Sequence, residues 1–453
     1  MSNFRPINRD TGFLLPPSVD EWLPQRHLAR FVVEVVDGLD LSELVKAYRG
    51  SGIASYHPAM LLGLLMYGYA TKTFSSRALE RATYDSVAFR FIAANEHPDH
   101  DTIAAFRKRF LGQIAGLFVE VLKLARTRGM LKMGTVALDG TKIHANASRH
   151  SALSYGHARK IEKQLKKEVQ QLLKLAARAD AQDIPDGMSI PEELERREVR
   201  LAAIAQAKVM IEGRAEERLQ REQEEYQSKR AARAEKEKQT GKKPGGRPPE
   251  PPTGGVREQD QVNLTDADSR IMKVAGGGFE QCYNAQALVA TGSLLIVAHE
   301  VTQAPNDKQQ LVPMLQKIKA LSPQLGRTHR LLADSGYLSE ANVVSCAAAK
   351  IEPLIAMGRC PHHVSWKQRF AAAPKAPPAS ATAMQKMAHR LKTPRGRELY
   401  ALRKQTPEPV FGIIKSVMGY RQALLRGLEN VKGEWNLVTL SWNIKRMFAL
   451  QSG

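Results

Sequence analysis

Cysteine is almost absent from this chain of 453 residues: Cys282, Cys346 and Cys360 are the full set. An odd number of widely spaced thiols excludes a disulfide framework and supplies no CxxC pair for zinc, which fits reduced thiols. The run Cys360-Pro361-His362-His363 has the spacing of half a metal site, but the sequence holds no second half. Long apolar runs are missing too. The best candidate, residues 59–70, offers about a dozen apolar positions where a membrane span needs about 20, so it reads as a buried helix. No apolar stretch follows a basic one at the amino terminus, and a cytoplasmic protein without membrane association is expected. Negative charge is the third shortage. Against 67 Lys and Arg there are 46 Asp and Glu, a net charge of +21. A surplus that large must lie on the surface, and a polyanionic partner is its natural complement.

Hydrophobic periodicity divides what is present. Residues 1–128 read as helical, with apolar positions three and four apart over 28–36, 60–67, 79–91 and 103–118. Asp101 is placed to cap a helix that carries Ile103, Phe106 and Phe110 on one face and Arg107, Lys108 and Arg109 around the other. Such a helix suits docking on DNA; an ordinary solvated basic face fits the pattern equally well. At residues 135–138 the texture changes to a short apolar strand that ends in Asp139. Residues 151–238 form two highly charged helical stretches with apolar stripes at Ile161, Leu165, Val169 and Leu172, then Leu194, Leu201, Ile204, Ile211, Ala215 and Leu219. These stripes predict an antiparallel coiled-coil hairpin, broken at 183–188 and restarted at Ser189.

Residues 239–258, rich in Gly, Pro and Lys, read as a flexible basic linker. Beyond them, over 259–450, strand and helix alternate: strands over 270–275, 279–290 and 293–301, a helix over 307–321, and a strand over 330–333 that ends in Asp334. A helix over 339–350, a strand over 353–357 and two final helices, 408–416 and 435–448, follow. Together with the strand in 129–150, these pieces predict a mixed sheet flanked by helices. From Arg359 to Lys404 eleven Lys or Arg face a single acid, Glu398, a density that suits a phosphate-binding track or, with Pro374, Pro377 and Pro378, a mobile basic loop.

The acids carry the chemistry. Asp139 and Asp334 each end an apolar strand and are each followed by Gly within two residues, which would bring both carboxylates to one sheet edge, where open α/β sheets bind ligands. Glu408 lies between Pro407 and Pro409, which fit only a first helical turn, and Lys415 follows two turns later on the same face. Three clustered carboxylates suit a pair of Mg²⁺ ions, and such a pair performs phosphodiester chemistry at neutral pH.

Val136 to Lys142, Leu331 to Tyr337 and Glu408 to Lys415 resemble the three acidic boxes of the DDE transposases of bacterial insertion sequences. Tyr283-Asn284-Ala285-Gln286 and Pro305-Asn306-Asp307-Lys308 resemble the segments between the first two boxes. Tyr56-His57-Pro58 and Asp101-Thr102-Ile103 resemble the helical domain that precedes them. The resemblance implies a ribonuclease H-like, five-stranded mixed sheet flanked by helices, preceded by an all-α domain. It implies cleavage of double-stranded DNA at terminal inverted repeats, with strand transfer of the 3′-hydroxyl into target DNA by a nucleoid-associated homodimer. Asp139, Asp334 and Glu408 would ligate two Mg²⁺ ions, with Mn²⁺ as a substitute. Lys415, Arg403 and Tyr400 would contact DNA near the cleaved end. The family spacing places three residues between its Arg and Glu, whereas four separate Arg403 from Glu408; Lys404 would restore it. A ribonuclease H-like nuclease without strand transfer and a catalytically silent DNA-binding protein are the alternatives.

Overall fold

A computed structural model describes residues 18–48, 55–176, 189–243, 245–358, 366 and 374–451. The chain forms two compact units, one from residues 1–144 with 282–453 and the other from 145–281.

Among the described residues the first unit has seven helices ahead of its sheet: α1 (Val19–Trp22), α2 (Leu28–Asp37), α3 (Ser42–Lys46), α4 (Pro58–Ala70), α5 (Ser76–Asp85), α6 (Val87–Ile92) and α7 (His100–Thr127). Pro58 opens α4 at a position where its missing N–H costs nothing, and almost every later residue of that helix is buried. The single helix expected over 79–91 is two, because Ser86 takes an extended conformation and ends one helix while starting the next. Asp99, rather than Asp101, caps α7, accepting from Thr102 N at 2.7 Å. Asp101 sits in the first turn instead, where its charge favours the helix dipole.

The sheet is built from β1 (Thr135–His144), β4 (Arg270–Lys273), β5 (Phe279–Ala290), β6 (Ile296–Thr302), β7 (Arg330–Ala333) and β8 (Glu352–Ile355). It runs β4-β5-β1-β7-β8, with β6 also paired to β5. β5 is antiparallel to β1 and β6, while β1, β7 and β8 run parallel. The count is six strands, not five, since β4 joins the start of β5 through Gly276-Gly277-Gly278, all at positive φ, a turn that only glycine enters without strain. Asp139 lies in mid-strand: β1 continues five residues past it because β5 offers backbone partners as far as His144.

Between the strands lie α10 (Leu311–Leu325) and α11 (Glu340–Ala348); α12 (Ala383–Lys392), α13 (Pro394–Ala401), α14 (Pro407–Ser416) and α15 (Leu428–Gln451) close the chain. β5 is buried at ten consecutive positions, as a strand covered on both faces must be. α15 explains why the helical start and the sheet form one unit. It buries Trp435, Leu437, Val438, Leu440, Trp442, Ile444 and Met447 around its whole circumference, packing on α4, α7 and β6.

In the second unit α8 (Tyr155–Ala176) and α9 (Ile190–Thr240) pack antiparallel, with β2 (Ala152–Ser154) pairing β3 (Gln261–Asn263) at their base. Tyr155 reaches Glu212 at 2.8 Å, Lys208 reaches Glu162 at 2.9 Å and Arg197 reaches Glu168 at 2.8 Å, a descending order on one helix against an ascending one on the other. Leu165, Ile204, Ala207 and Ile211 form the shared core. The break expected at 183–188 lies outside the described residues. The stretch expected as a linker returns along α9, held where Arg233 donates to Gly246 O at 3.0 Å and Arg218 to Gly255 O at 3.2 Å. No helix among the described residues is long and apolar enough to cross a membrane.

Candidate active site

The parallel ladder between β1 and β7 ends at the pair Leu138 and Ala333. The next residue of each strand is an acid, so Asp139 and Asp334 stand side by side. Asp334 caps the turn Ser335–Tyr337, its Oδ1 accepting from Gly336 N at 2.9 Å. Asp139 Oδ1 accepts from Gly140 N at 2.9 Å. Glu408 arrives from the first turn of α14, where Pro407 sets the helical φ.

One guanidinium gathers all three acids. Arg403, in the turn between α13 and α14, donates from Nη1 to Glu408 Oε1 at 3.0 Å and from Nη2 to Asp139 Oδ2 at 3.4 Å. Its Nη2 lies 3.8 Å from Asp334 Oδ2. The side chain of Asp139 is 16 % exposed, that of Asp334 39 % and that of Glu408 51 %, so the acids form a floor, a wall and a rim. Burial pushes the Asp139 carboxyl up to about 7; the Arg403 charge and the Gly140 N–H oppose this, while Asp334 and Asp307 add to it. Burial also works to lower the Arg403 pKa, but the surrounding negative groups outweigh it and the guanidinium is held more firmly charged.

Hard carboxylate oxygens are the donors that Mg²⁺ prefers. The donor set therefore fits a divalent cation in kind. Among the described residues no group of three or more His, Cys, Asp or Glu side chains is arranged to hold a metal ion; these three acids are spread around Arg403.

Behind Gly140 lies a polar cluster with no role among the expected site residues. Asp307 Oδ1 accepts from Asn284 Nδ2 at 2.8 Å and from Gln286 Nε2 at 2.7 Å, and the buried Tyr337 hydroxyl donates to Gln286 Oε1. A Cβ on Gly140 would fall 2.3 Å from Gln286 Nε2 and 2.7 Å from Asp307 Oδ1. Glycine is therefore what lets this cluster approach the strand. The available signal was the pair of segments containing Asn284, Gln286 and Asp307, recognised in the sequence but not connected to Gly140.

The remaining candidate residues fall in different places. Lys415 is half-buried and donates from Nζ to Lys142 O at 2.8 Å; burial lowers its pKa and that of Lys142. The Lys142 Nζ is buried with no hydrogen-bond partner. Tyr400 packs with Leu391, Leu399 and Leu402 against Ala137, Leu332 and Leu354 of the sheet. Lys404 is exposed, whereas its neighbour Arg403 points into the acids despite the four-residue spacing. On α7, Lys108 is exposed and Arg109 lies over the rings of Tyr48 and Phe110. Arg107 does not share that outer face: it is buried, donating to Phe74 O at 3.0 Å and to the Tyr69 hydroxyl at 3.4 Å.

The basic stretch contains two helices in place of a continuous loop. Thr382 and Gln385 form a capping box for α12, and Pro394 opens α13. Arg390 lies 3.4 Å from Glu352. Arg359, Lys367, Arg369 and the Cys360-Pro361-His362-His363 run lie outside the described residues.

Two family models match the chain: a transposase domain (DUF772) over residues 17–109 and a transposase DDE domain over residues 358–448. The second includes Arg403, Glu408 and Lys415; Asp139 and Asp334 precede it. No curated protein and no solved structure matches. One transposase model thus lies on the helical start and a DDE model on the helices that carry Glu408, two matches consistent with a DDE transposase.

Proposed function

We propose that this transposase cleaves double-stranded DNA at the terminal inverted repeats of a mobile element and joins the freed 3′-hydroxyl to target DNA, with Asp139, Asp334 and Glu408 as its catalytic acids. The observation that carries the reading is the meeting of three carboxylates, from β1, the end of β7 and the start of α14, on the single guanidinium of Arg403. The strand order supports it: β6-β5-β1-β7-β8, antiparallel on one side of β1 and parallel on the other, is a ribonuclease H-like arrangement, with β4 as an addition.

Asp139, Asp334 and Glu408 would hold two Mg²⁺ ions, or Mn²⁺ in their place. Such ions supply, when bound, activation of a water or a 3′-hydroxyl and stabilisation of the departing oxygen. Asp139, one residue past the last rung shared with β7, forms the floor of the site on a strand that β5 continues to pair as far as His144. Glu408, on the rim, approaches from the side open to DNA. Lys415 and Lys142 place two ammonium groups beside the strand just beyond Asp139, suited to the phosphates that flank a cut. Tyr400, Lys404, Lys108 and Arg109 extend the surface for the duplex, the α8–α9 hairpin serves as an architectural arm, and pairing of two ends calls for a homodimer on the nucleoid.

Cleavage of a duplex carrying a terminal repeat, followed on a gel in magnesium and in chelator, tests the assignment. Asp139→Ala, Asp334→Ala and Glu408→Ala should each abolish cutting, and retention of full activity by any of them would remove that residue from the mechanism. A pre-cut end offered with target DNA separates joining from simple nuclease action.

A further inference from the structure

Arg403 is an unusual ion-pair partner. A guanidinium built to stabilise a fold faces one carboxylate with both prongs of its fork. Here the fork is divided: Nη1 serves Glu408 at 3.0 Å, while Nη2 is shared between Asp139 at 3.4 Å and Asp334 at 3.8 Å. The third donor, Nε, is buried with no partner at all. An orphaned buried N–H is destabilising, so this geometry is not the optimum for Arg403 itself. What it does achieve is one positive charge within 4 Å of all three acids.

We propose that Arg403 is a built-in counter-cation of the catalytic site, a latch that divalent metal must displace, and that its release makes the guanidinium available to a DNA phosphate. The inference rests on the reading of Asp139, Asp334 and Glu408 as metal ligands. Three carboxylates closing on a cation leave no room for a guanidinium among them, and a second positive charge beside the ions is repelled. Arg403 lies on the turn between α13 and α14, next to the exposed Lys404, so its long side chain has an outward route along a stretch that already faces solvent. Metal and DNA are thereby linked: a phosphate that draws Arg403 outward frees the acids, and ions that fill the acids free Arg403. Linkage requires the two effects to be equal in size.

The test titrates MnCl₂ calorimetrically into the chelator-stripped full-length chain, as wild type and as Arg403→Gln, Arg403→Lys and Asp139→Asn. A latch closed most of the time lowers apparent metal affinity by the fraction of time it is open, so Arg403→Gln should bind Mn²⁺ about tenfold more tightly than wild type. Arg403→Lys, which keeps a charge but loses the shared fork, should fall between them. A duplex oligonucleotide should tighten Mn²⁺ binding in wild type and leave Arg403→Gln unaffected. Thermal unfolding provides the second readout: Arg403→Gln should melt lower than wild type in chelator and gain more on addition of Mn²⁺. Equal Mn²⁺ affinity in wild type and both Arg403 variants, with Asp139→Asn weakened, overturns the latch and leaves the catalytic reading intact. Undiminished Mn²⁺ binding by Asp139→Asn overturns the reading itself.

Discussion

Asp139 and Asp334 are the first residues beyond the last parallel rung of β1 and β7, the rung that pairs Leu138 with Ala333. The register alone makes them neighbours, because the side-chain period of two turns equivalent positions of adjacent parallel strands to the same face. The two strands then part company: β1 is carried on by β5, while β7 turns at Ser335. One acid is fixed in a strand and the other stands at a bend.

The high pKa of Asp139 gives a pH dependence. An acid raised from its ordinary 3.8 to about 7 in the folded chain favours the folded state when protonated. Its contribution to stability is complete below about pH 4 and is lost as pH rises through 7. In chelator, wild type should therefore lose stability relative to Asp139→Asn between pH 4 and 7, measured by urea unfolding at a series of pH values. Parallel curves would show that the carboxyl titrates normally.

Gly140 offers a steric test of the cluster behind the strand. Gly140→Ala places a Cβ 2.3 Å from Gln286 Nε2, forcing the Asn284, Gln286 and Asp307 amide-carboxylate cluster to move. A loss of about 1–3 kcal/mol in unfolding free energy is expected, as for other overpacked sites. End cleavage should fall by more than that loss accounts for, since Asp139 is the adjacent residue; unchanged cleavage would show that the cluster does not position the site.

What the sequence reveals depends on how local the cause is. The strand ending at Ala333 and the helix start at Glu408 follow from apolar runs and Pro placement, which are nearest-neighbour effects, and the structure has both. The continuation of β1 past Asp139 depends on a partner strand more than a hundred residues away, which no window contains. Arg403 meets Asp139 across 264 residues, and nothing near either one announces it. Arg107 was legible: it follows Ile103 by four and precedes Phe110 by three, so it lies on the apolar stripe itself. Composition hid α12 and α13, though the capping pair Thr382 and Gln385 and the start Thr393-Pro394 were there to be read.

Arg107 and Lys108 should separate cleanly as a result. Arg107 connects through the Tyr69 hydroxyl to the fully buried Glu434, Tyr69 and Glu434 being 3.1 Å apart. Arg107→Ala leaves that cluster under-bonded and should cost about 2–3 kcal/mol, seen as a lower melting temperature. Lys108→Ala should melt like wild type while weakening DNA binding at low salt. If both melt normally, the buried cluster does not stabilise the fold.

His299 supplies an acid-side prediction remote from the catalytic acids. Burial lowers its pKa from 6.5 to about 4, its ring edge-on to Phe118 at 4.6 Å and its Nε2 3.0 Å from Asn436 Oδ1. A base with a depressed folded pKa stabilises the fold above its unfolded value and loses that stability as pH falls through the folded one. Relative to His299→Gln, wild type should lose stability as pH falls from 6.5 to 4 in the same urea experiment. Equal slopes would assign the acid sensitivity to other groups.

Lys415 is the sharpest test of where DNA lies. Its ammonium is held on Lys142 O at 2.8 Å, and burial lowers its pKa and that of Lys142, whose Nζ has no hydrogen-bond partner. Positive charge on Arg421 and Lys142 also works against the Lys415 ammonium, and an arriving phosphate relieves that repulsion. Lys415→Met, which keeps the aliphatic stem and the packing of α14, should weaken binding of an end-bearing duplex and reduce the slope of log affinity against log salt by about 1. Binding measured by fluorescence anisotropy across a salt series reads both quantities. A weakened affinity with an unchanged slope would mean that Lys415 braces β1 against α14 and that the phosphate contact is made elsewhere, most directly by Lys142.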